Sequence, residues 1–238
     1  MLDLSFYIAA FLLLFSTGPS LTDTDSLSGS GEVISAQQED PYAVNFILNG
    51  RVWRNLHTRV RGHQFYLTDD YLKADINFNG RLFKDQKVKY DILNDELILS
   101  IDSHPVIIMN KEMVENFTLH YFSQDLYFFN AGTDTTSLLK GYINVLYDGP
   151  TALYVKQSKM IQPLAVEGRF DEFYEERKIF IKKDGEIIPV NTRRSLFESL
   201  SEREQELKSF IKRSKIKVTN KDPYSYIPVV KHFDDPGQ

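Results

Sequence analysis

The sequence predicts a mainly β fold of the α+β kind: an antiparallel sheet, sandwich or barrel-like in form, followed by a short C-terminal helical segment. Three observations carry this reading. Apolar and polar residues alternate with a period of two through the middle of the chain, as strands with one covered and one wet face require. The pairs Asn79-Gly80 and Asp184-Gly185, suited to two-residue hairpin turns, separate such stretches. Beyond Val190 the period becomes helical, and no helical pattern intervenes between the strands, which argues against a parallel nucleotide-binding sheet.

The first element is an apolar run from Leu4 to Phe15, followed by small and polar residues up to Ser20. A helix of that length spans about 18 Å, short of the roughly 30 Å hydrocarbon layer, so residues 1–20 read as an export signal cleaved after Ser20. Asp3 stands where a lysine or arginine is usual, and a retained anchor is the alternative. Residues 21–40 are rich in Ser, Thr, Gly, Asp and Glu and read as a disordered linker.

Residues 41–190 form the predicted antiparallel β domain. Leu72, Ala74, Ile76 and Phe78 alternate with Lys73, Asp75 and Asn77, and Asn79-Gly80 then reverses the chain. Val88, Tyr90 and Ile92 follow against Lys87, Lys89 and Asp91. A turn at Asn94-Asp95 leads to Leu97, Leu99 and Ile101, which makes a three-stranded meander. Further strands are expected over Phe117 to Phe122, Leu126 to Phe129, Tyr142 to Tyr147 and Leu153 to Lys156. A late hairpin joins Lys178 to Lys182 with Glu186 to Val190.

Residues 191–238 are expected to be helical and packed on the β domain. Ser201-Glu202-Arg203-Glu204 has the form of a capping box, in which serine and glutamate satisfy each other's free backbone amides. It predicts a helix from Glu202 to about Arg213, with a shorter turn over Ser195 to Leu200 before it. A last helix is expected near Ile227, since Pro228 is tolerated only in a first turn.

Several of these segments resemble a family of uncharacterised exported proteins of Bacteroidetes-type bacteria. The likeness rests on Tyr90-Asp91-Ile92-Leu93-Asn94-Asp95-Glu96-Leu97, Gly141-Tyr142, Val145 to Gly149, Leu153-Tyr154-Val155-Lys156, Arg193 to Phe197 and Phe210-Ile211-Lys212, and covers roughly Pro41 to Phe233. Two arginines, Arg193 and Arg194, stand where comparable proteins carry a longer lysine run. The resemblance implies an exported β-rich module with a helical tail and brings no activity with it.

The net charge of −5 gives no basis for nucleic-acid binding through phosphate neutralisation. The absence of cysteine excludes disulfides, thiolate metal sites and thiol nucleophiles. Ser-x-x-Lys occurs at Ser137, Ser209 and Ser214 without the companion triplets of penicillin-interacting enzymes. Gly132-Thr133-Asp134-Thr135-Thr136-Ser137 is only a partial match to an aspartic-protease loop. His57, His63, His104, His120 and His232 include no pair at metal-ligand spacing, and His120 reads as a solvated residue. No catalytic, cofactor or metal residue is therefore assigned.

Two interaction surfaces remain. An aromatic set, Tyr127, Phe129, Tyr142, Tyr147 and Tyr154, can stack on sugar rings or a partner protein wherever alternation leaves it exposed. A basic set, Lys212, Arg213, Lys215 and Lys217, lies in a C-terminal part with ten basic against seven acidic residues. Together with the leader, they suggest a periplasmic or secreted envelope component that binds an envelope protein or polysaccharide, without cofactor, nucleic acid or membrane span after cleavage. The alternative is a glycoside-type hydrolase whose carboxylates, from Asp69-Asp70, Asp148 or Glu172, are paired by the fold.

Overall fold

The computed structural model describes residues 33–34, 41–132, 137–163 and 170–236, all within a compact unit beginning at Gly31. The predicted signal, most of the linker and the loop 133–136 lie outside the described residues. In chain order the elements are β1 (Val33–Ile34), α1 (Pro41–Ile47), β2 (Gly50–Val52), β3 (Leu72–Phe78), β4 (Arg81–Asp91), β5 (Glu96–Ser100), β6 (Ile107–Met109), β7 (Val114–Tyr121), β8 (Gln124–Asn130), β9 (Tyr142–Tyr147), β10 (Ala152–Gln162), β11 (Glu172–Lys183), β12 (Glu186–Pro189), α2 (Arg193–Ser199), α3 (Glu204–Arg213) and α4 (Ile227–Asp234). The protein is thus mainly β, with one large antiparallel sheet and a short C-terminal helical part.

The strands lie in the order β12-β11-β10-β9-β8-β7-β3-β4-β5-β6-β2. Asn79 and Gly80, with φ of 49° and 76°, make the β3–β4 turn, and Asp184 and Gly185, with φ of 51° and 84°, make the β11–β12 turn. The run from β4 through β3, β7, β8 and β9 to β10 curls until its outer members meet: the Lys159 amide of β10 donates to the carbonyl of Ile92, just past β4, at 2.9 Å. Residues 64–66 brace that seam, with the Ile92 amide bonded to Gln64 and the Tyr66 amide to Tyr90. The enclosed face carries a cluster of rings. Phe117 and Phe128 stack at 4.8 Å, and Tyr142 and Tyr90 meet them edge-on. Such edge and offset contacts each add about 0.5–1.5 kcal/mol beyond area burial.

A second core covers one face of the β10–β11 hairpin. Leu153, Val155, Ile179 and Ile181 pack against Leu196, Leu207, Ile211, Tyr226, Val229 and Val230 of the helical part. Val155 is in register with Asn144, so this face continues the one that carries Tyr142 into the ring cluster. The opposite face of β8 to β12 carries a smaller cluster of its own, with Ile143, Ala152, Tyr154 and Phe180 buried beside Leu139.

Four sequence expectations are corrected. The chain is helical directly after residue 40: Pro41 provides a preset first-turn φ, and Ile47 enters the core with Phe46 and Leu48 packed against it. The expected linker enters the sheet at Val33 and Ile34, which pair in parallel with Leu82 and Phe83. The capping box lies at Thr192 and Ser195, whose side chains reciprocally bond each other's backbone amides, and not at Ser201. Ser201 opens a short 3-10 turn with no side-chain cap, because Glu204 pairs with Lys208 and does not reach back. Finally, β10 and β11 extend well beyond the strands expected over Leu153 to Lys156 and Lys178 to Lys182, and they pair with each other in register from Ala152–Lys182 to Gln162–Glu172. Their polar ends are held by hydrogen bonds: Lys159 Nζ donates to the carbonyls of His63 and Phe65 at 2.7 and 2.8 Å.

The final helix does begin at Ile227, with Pro228 in its first turn. Among the described residues no helix is long and apolar enough to cross a membrane.

Candidate functional site

On the outer face, side chains of five consecutive elements line a groove of about 420 Å³. Tyr127 and Phe129 point outward from β8, Val145 from β9, Tyr154 from β10, Lys182 from β11 and Ile187 from β12, while Leu139 and Asp148 come from flanking loops. The alternation of β8 explains two of the rings: Leu126 and Phe128 face the inner core, so Tyr127 and Phe129 face the groove. Phe129 meets Tyr154 edge-on at 5.4 Å, and Tyr127 is 41% exposed. Burial first, then the nearby Asp148 carboxylate, push the Tyr154 phenol above its ordinary range, so it stays a neutral hydrogen-bonding group. Tyr154 is 8% exposed and forms the floor of the groove, so the ring surface offered is chiefly that of Tyr127, beside the Asp148 carboxylate and the Lys182 ammonium group.

The predicted aromatic set is divided by the fold. Tyr127, Phe129 and Tyr154 come together in this groove. Tyr142 does not belong to any surface: it is 1% exposed, within the inner ring cluster, because both faces of β9 are covered at that end. Tyr147 is half-buried, with its phenol bonded to the Asp234 carboxylate and Lys231 over its ring, and it serves as a strut between β9 and α4. The basic set Lys212, Arg213, Lys215 and Lys217 is exposed throughout, on the helical side of the molecule.

The carboxylates considered for hydrolysis are engaged separately. Asp69 accepts from Lys89 Nζ at 2.7 Å, Glu172 from Arg61 at 3.2 Å and Asp70 from the Thr68 hydroxyl, while Asp148 lines the groove. His57 stacks edge-on with Phe173, and His63 stacks on Phe65. His120 is not simply solvated: its Nδ1 lies 2.8 Å from Asp125 and its Nε2 3.5 Å from Asp75, and hydrogen bonding to Asp125 first raises its pKa. Among the described residues no group of three histidines or carboxylates is placed to hold a metal.

Sequence reasoning missed one polar cluster. Asp95, read only as a turn residue, accepts from Tyr90 OH and Lys156 Nζ at 2.6 Å and from Lys111 Nζ at 2.5 Å. Lys156 also donates to the Tyr142 carbonyl at 3.0 Å, which ties β10 and β9 to the β4–β5 turn. Burial raises the Asp95 pKa, but the two lysines and the tyrosine more than offset this, and the net displacement is downward. Lys156 is displaced downward, by burial first. The cluster works as a lock inside the fold. Its two lysines lie 16 and 61 residues from Asp95, so no local pattern reveals them.

No protein family, curated protein or solved structure matches this chain.

Proposed function

We propose that the protein is an exported, envelope-associated binding protein without catalytic activity, and that the outer groove holds the sugar rings of a polysaccharide. One observation carries the reading: Tyr127, Phe129 and Tyr154 line one groove together with Asp148 and Lys182. Sugar rings present apolar faces that pack on aromatic side chains and hydroxyl edges that need a carboxylate, an ammonium or a phenol. The apolar leader run and the resemblance to exported Bacteroidetes-type proteins support a periplasmic or secreted location. The amino-terminal residue of the mature protein recovered from cell fractions tests that location; the intact Met1-started chain free in the cytosol refutes it.

The groove is tested with chitotetraose, cellotetraose and maltotetraose as probes, followed by the NMR signals of the tyrosine rings. At least one should shift the Tyr127 and Tyr154 signals, and Tyr127→Ala should weaken that binding about tenfold, the value of roughly 1–2 kcal/mol for a lost aromatic contact. No shift with any of the three, or release of new reducing ends, overturns the proposal; the second outcome favours the hydrolase.

A further inference from the structure

The C-terminal end of α3 is built to display charge. The Ile216 amide donates to the Ile211 carbonyl at 3.1 Å and the Lys215 amide to the Lys212 carbonyl at 3.4 Å. These two bonds form a Schellman motif, whose C′ residue lies in the left-handed region and is usually glycine. Here that residue is Lys215, at φ 54°. The chain then leaves the helix with Ile216 and Val218 packed on the second core, so Lys215 and Lys217 face outward by alternation. Lys212 and Arg213 are exposed on the last helical turn, and Lys221 is exposed just beyond. Lys208, one turn earlier, is held by Glu204, but no acidic residue occurs from Leu207 to Lys221. Lys212, Arg213, Lys215, Lys217 and Lys221 have no ion-pair partner among the described residues, whereas lysines of the sheet such as Lys73, Lys87, Lys89 and Lys111 each have one.

We propose that this strip docks the protein on an anionic phospholipid surface through the headgroup phosphates. Charge complementarity identifies the partner: an acidic protein of net charge −5 concentrates unpaired cations on one short segment. An anionic bilayer attracts that segment and repels the rest, which fixes orientation as well as contact. Four of the five cations are lysines, compact charges that suit a surface of mobile headgroups, while arginine's rigid fork suits a defined site. The strip exposes no large apolar side chain, so contact is by adsorption at the headgroups, without insertion. The inference is independent of the sugar groove, which lies on the outer sheet face.

The test is sedimentation of the folded protein with vesicles of phosphatidylcholine containing about 30% phosphatidylglycerol, against phosphatidylcholine alone, at low and at roughly 0.5 M salt. The protein should bind only the anionic vesicles and should dissociate at high salt. The variant Lys212→Gln/Arg213→Gln/Lys215→Gln/Lys217→Gln should bind at least about a hundredfold more weakly, at about fivefold per cation near the surface. The control Arg54→Gln/Arg59→Gln, which removes exposed positive charge from another loop, should bind within a few-fold of wild type. Circular dichroism confirms that both variants are folded. Absence of wild-type binding, or undiminished binding by the four-site variant, overturns the proposal. Displacement by soluble polyphosphate at equal phosphate concentration overturns it as well, because a polymer site then replaces a lipid surface.

Discussion

Replacing Asp95 by asparagine keeps the shape of the lock and removes its only negative charge. Asp95 is 21% exposed and its two lysine partners are 26% and 18% exposed, so both ammonium groups lose their counterion in a partly dry site. Breaking a buried pair by removing one partner costs about 3–5 kcal/mol. Residual solvent contact and the surviving Lys156–Tyr142 bond bring the expectation to about 2–3 kcal/mol. Urea unfolding followed by tyrosine fluorescence and circular dichroism reads this as a lower midpoint with unchanged slope. Because the folded pKa of Asp95 lies below 3.8, its contribution is complete above the unfolded pKa and is lost as pH falls through the lower folded value. The wild-type to Asp95→Asn gap should therefore be level through the neutral range and close below about pH 4. Adding Lys156→Met should restore part of the loss, since an apolar side chain needs no counterion. A midpoint within about 0.5 kcal/mol of wild type, or a gap that persists at low pH, refutes the lock.

Gly141 is a second probe of the same region: a Cβ there would sit 1.7 Å from Asp95 Oδ2, on a backbone with φ of 64°, so Gly141→Ala should cost about 3 kcal/mol or more in urea unfolding. At the helical end, Thr192→Ala should cost about 1 kcal/mol by loss of the N-cap acceptor. Ser201→Ala should stay within about 0.5 kcal/mol, because that serine makes no cap bond. The His120 clamp has the opposite pH sign to Asp95: its raised folded pKa gives stability that is present below the unfolded value of 6.5 and is lost as pH rises through the folded one. Thermal melts should show this small loss in wild type and a smaller one in Asp125→Asn, where Asp75 alone still faces the ring.

The sheet was legible wherever one strand face is covered and the other wet. β3 shows it best, with Ala74, Ile76 and Phe78 buried and the intervening polar residues facing water, and its turn at Asn79-Gly80 is local chemistry. Legibility failed where both faces are covered. In β9, Tyr142 and Asn144 face one core while Ile143 and Val145 face the other side, so a two-residue period cannot tell which ring reaches the surface. The groove was half legible: its aromatic residues were identified, but Lys182 and Ile187 join them only through the pairing of β10, β11 and β12. The capping box was misplaced because Thr192-x-x-Ser195 and Ser201-x-x-Glu204 are both plausible local patterns, and the choice is made by Lys208, which captures Glu204. The Asp95 lock was invisible because Lys111 and Lys156, its two counterions, reach Asp95 only in the completed fold.

The parallel pairing of Val33 and Ile34 with Leu82 and Phe83 has a practical bearing on how the protein should be trimmed. Composition suggests cutting at Pro41, where the polar leader ends. A chain shortened there would bare the backbone donors and acceptors of Leu82 and Phe83 on an otherwise paired strand, a ready template for the same strand of another copy. Preparations begun before Val33 should remain dispersed under conditions in which those begun at Pro41 self-associate.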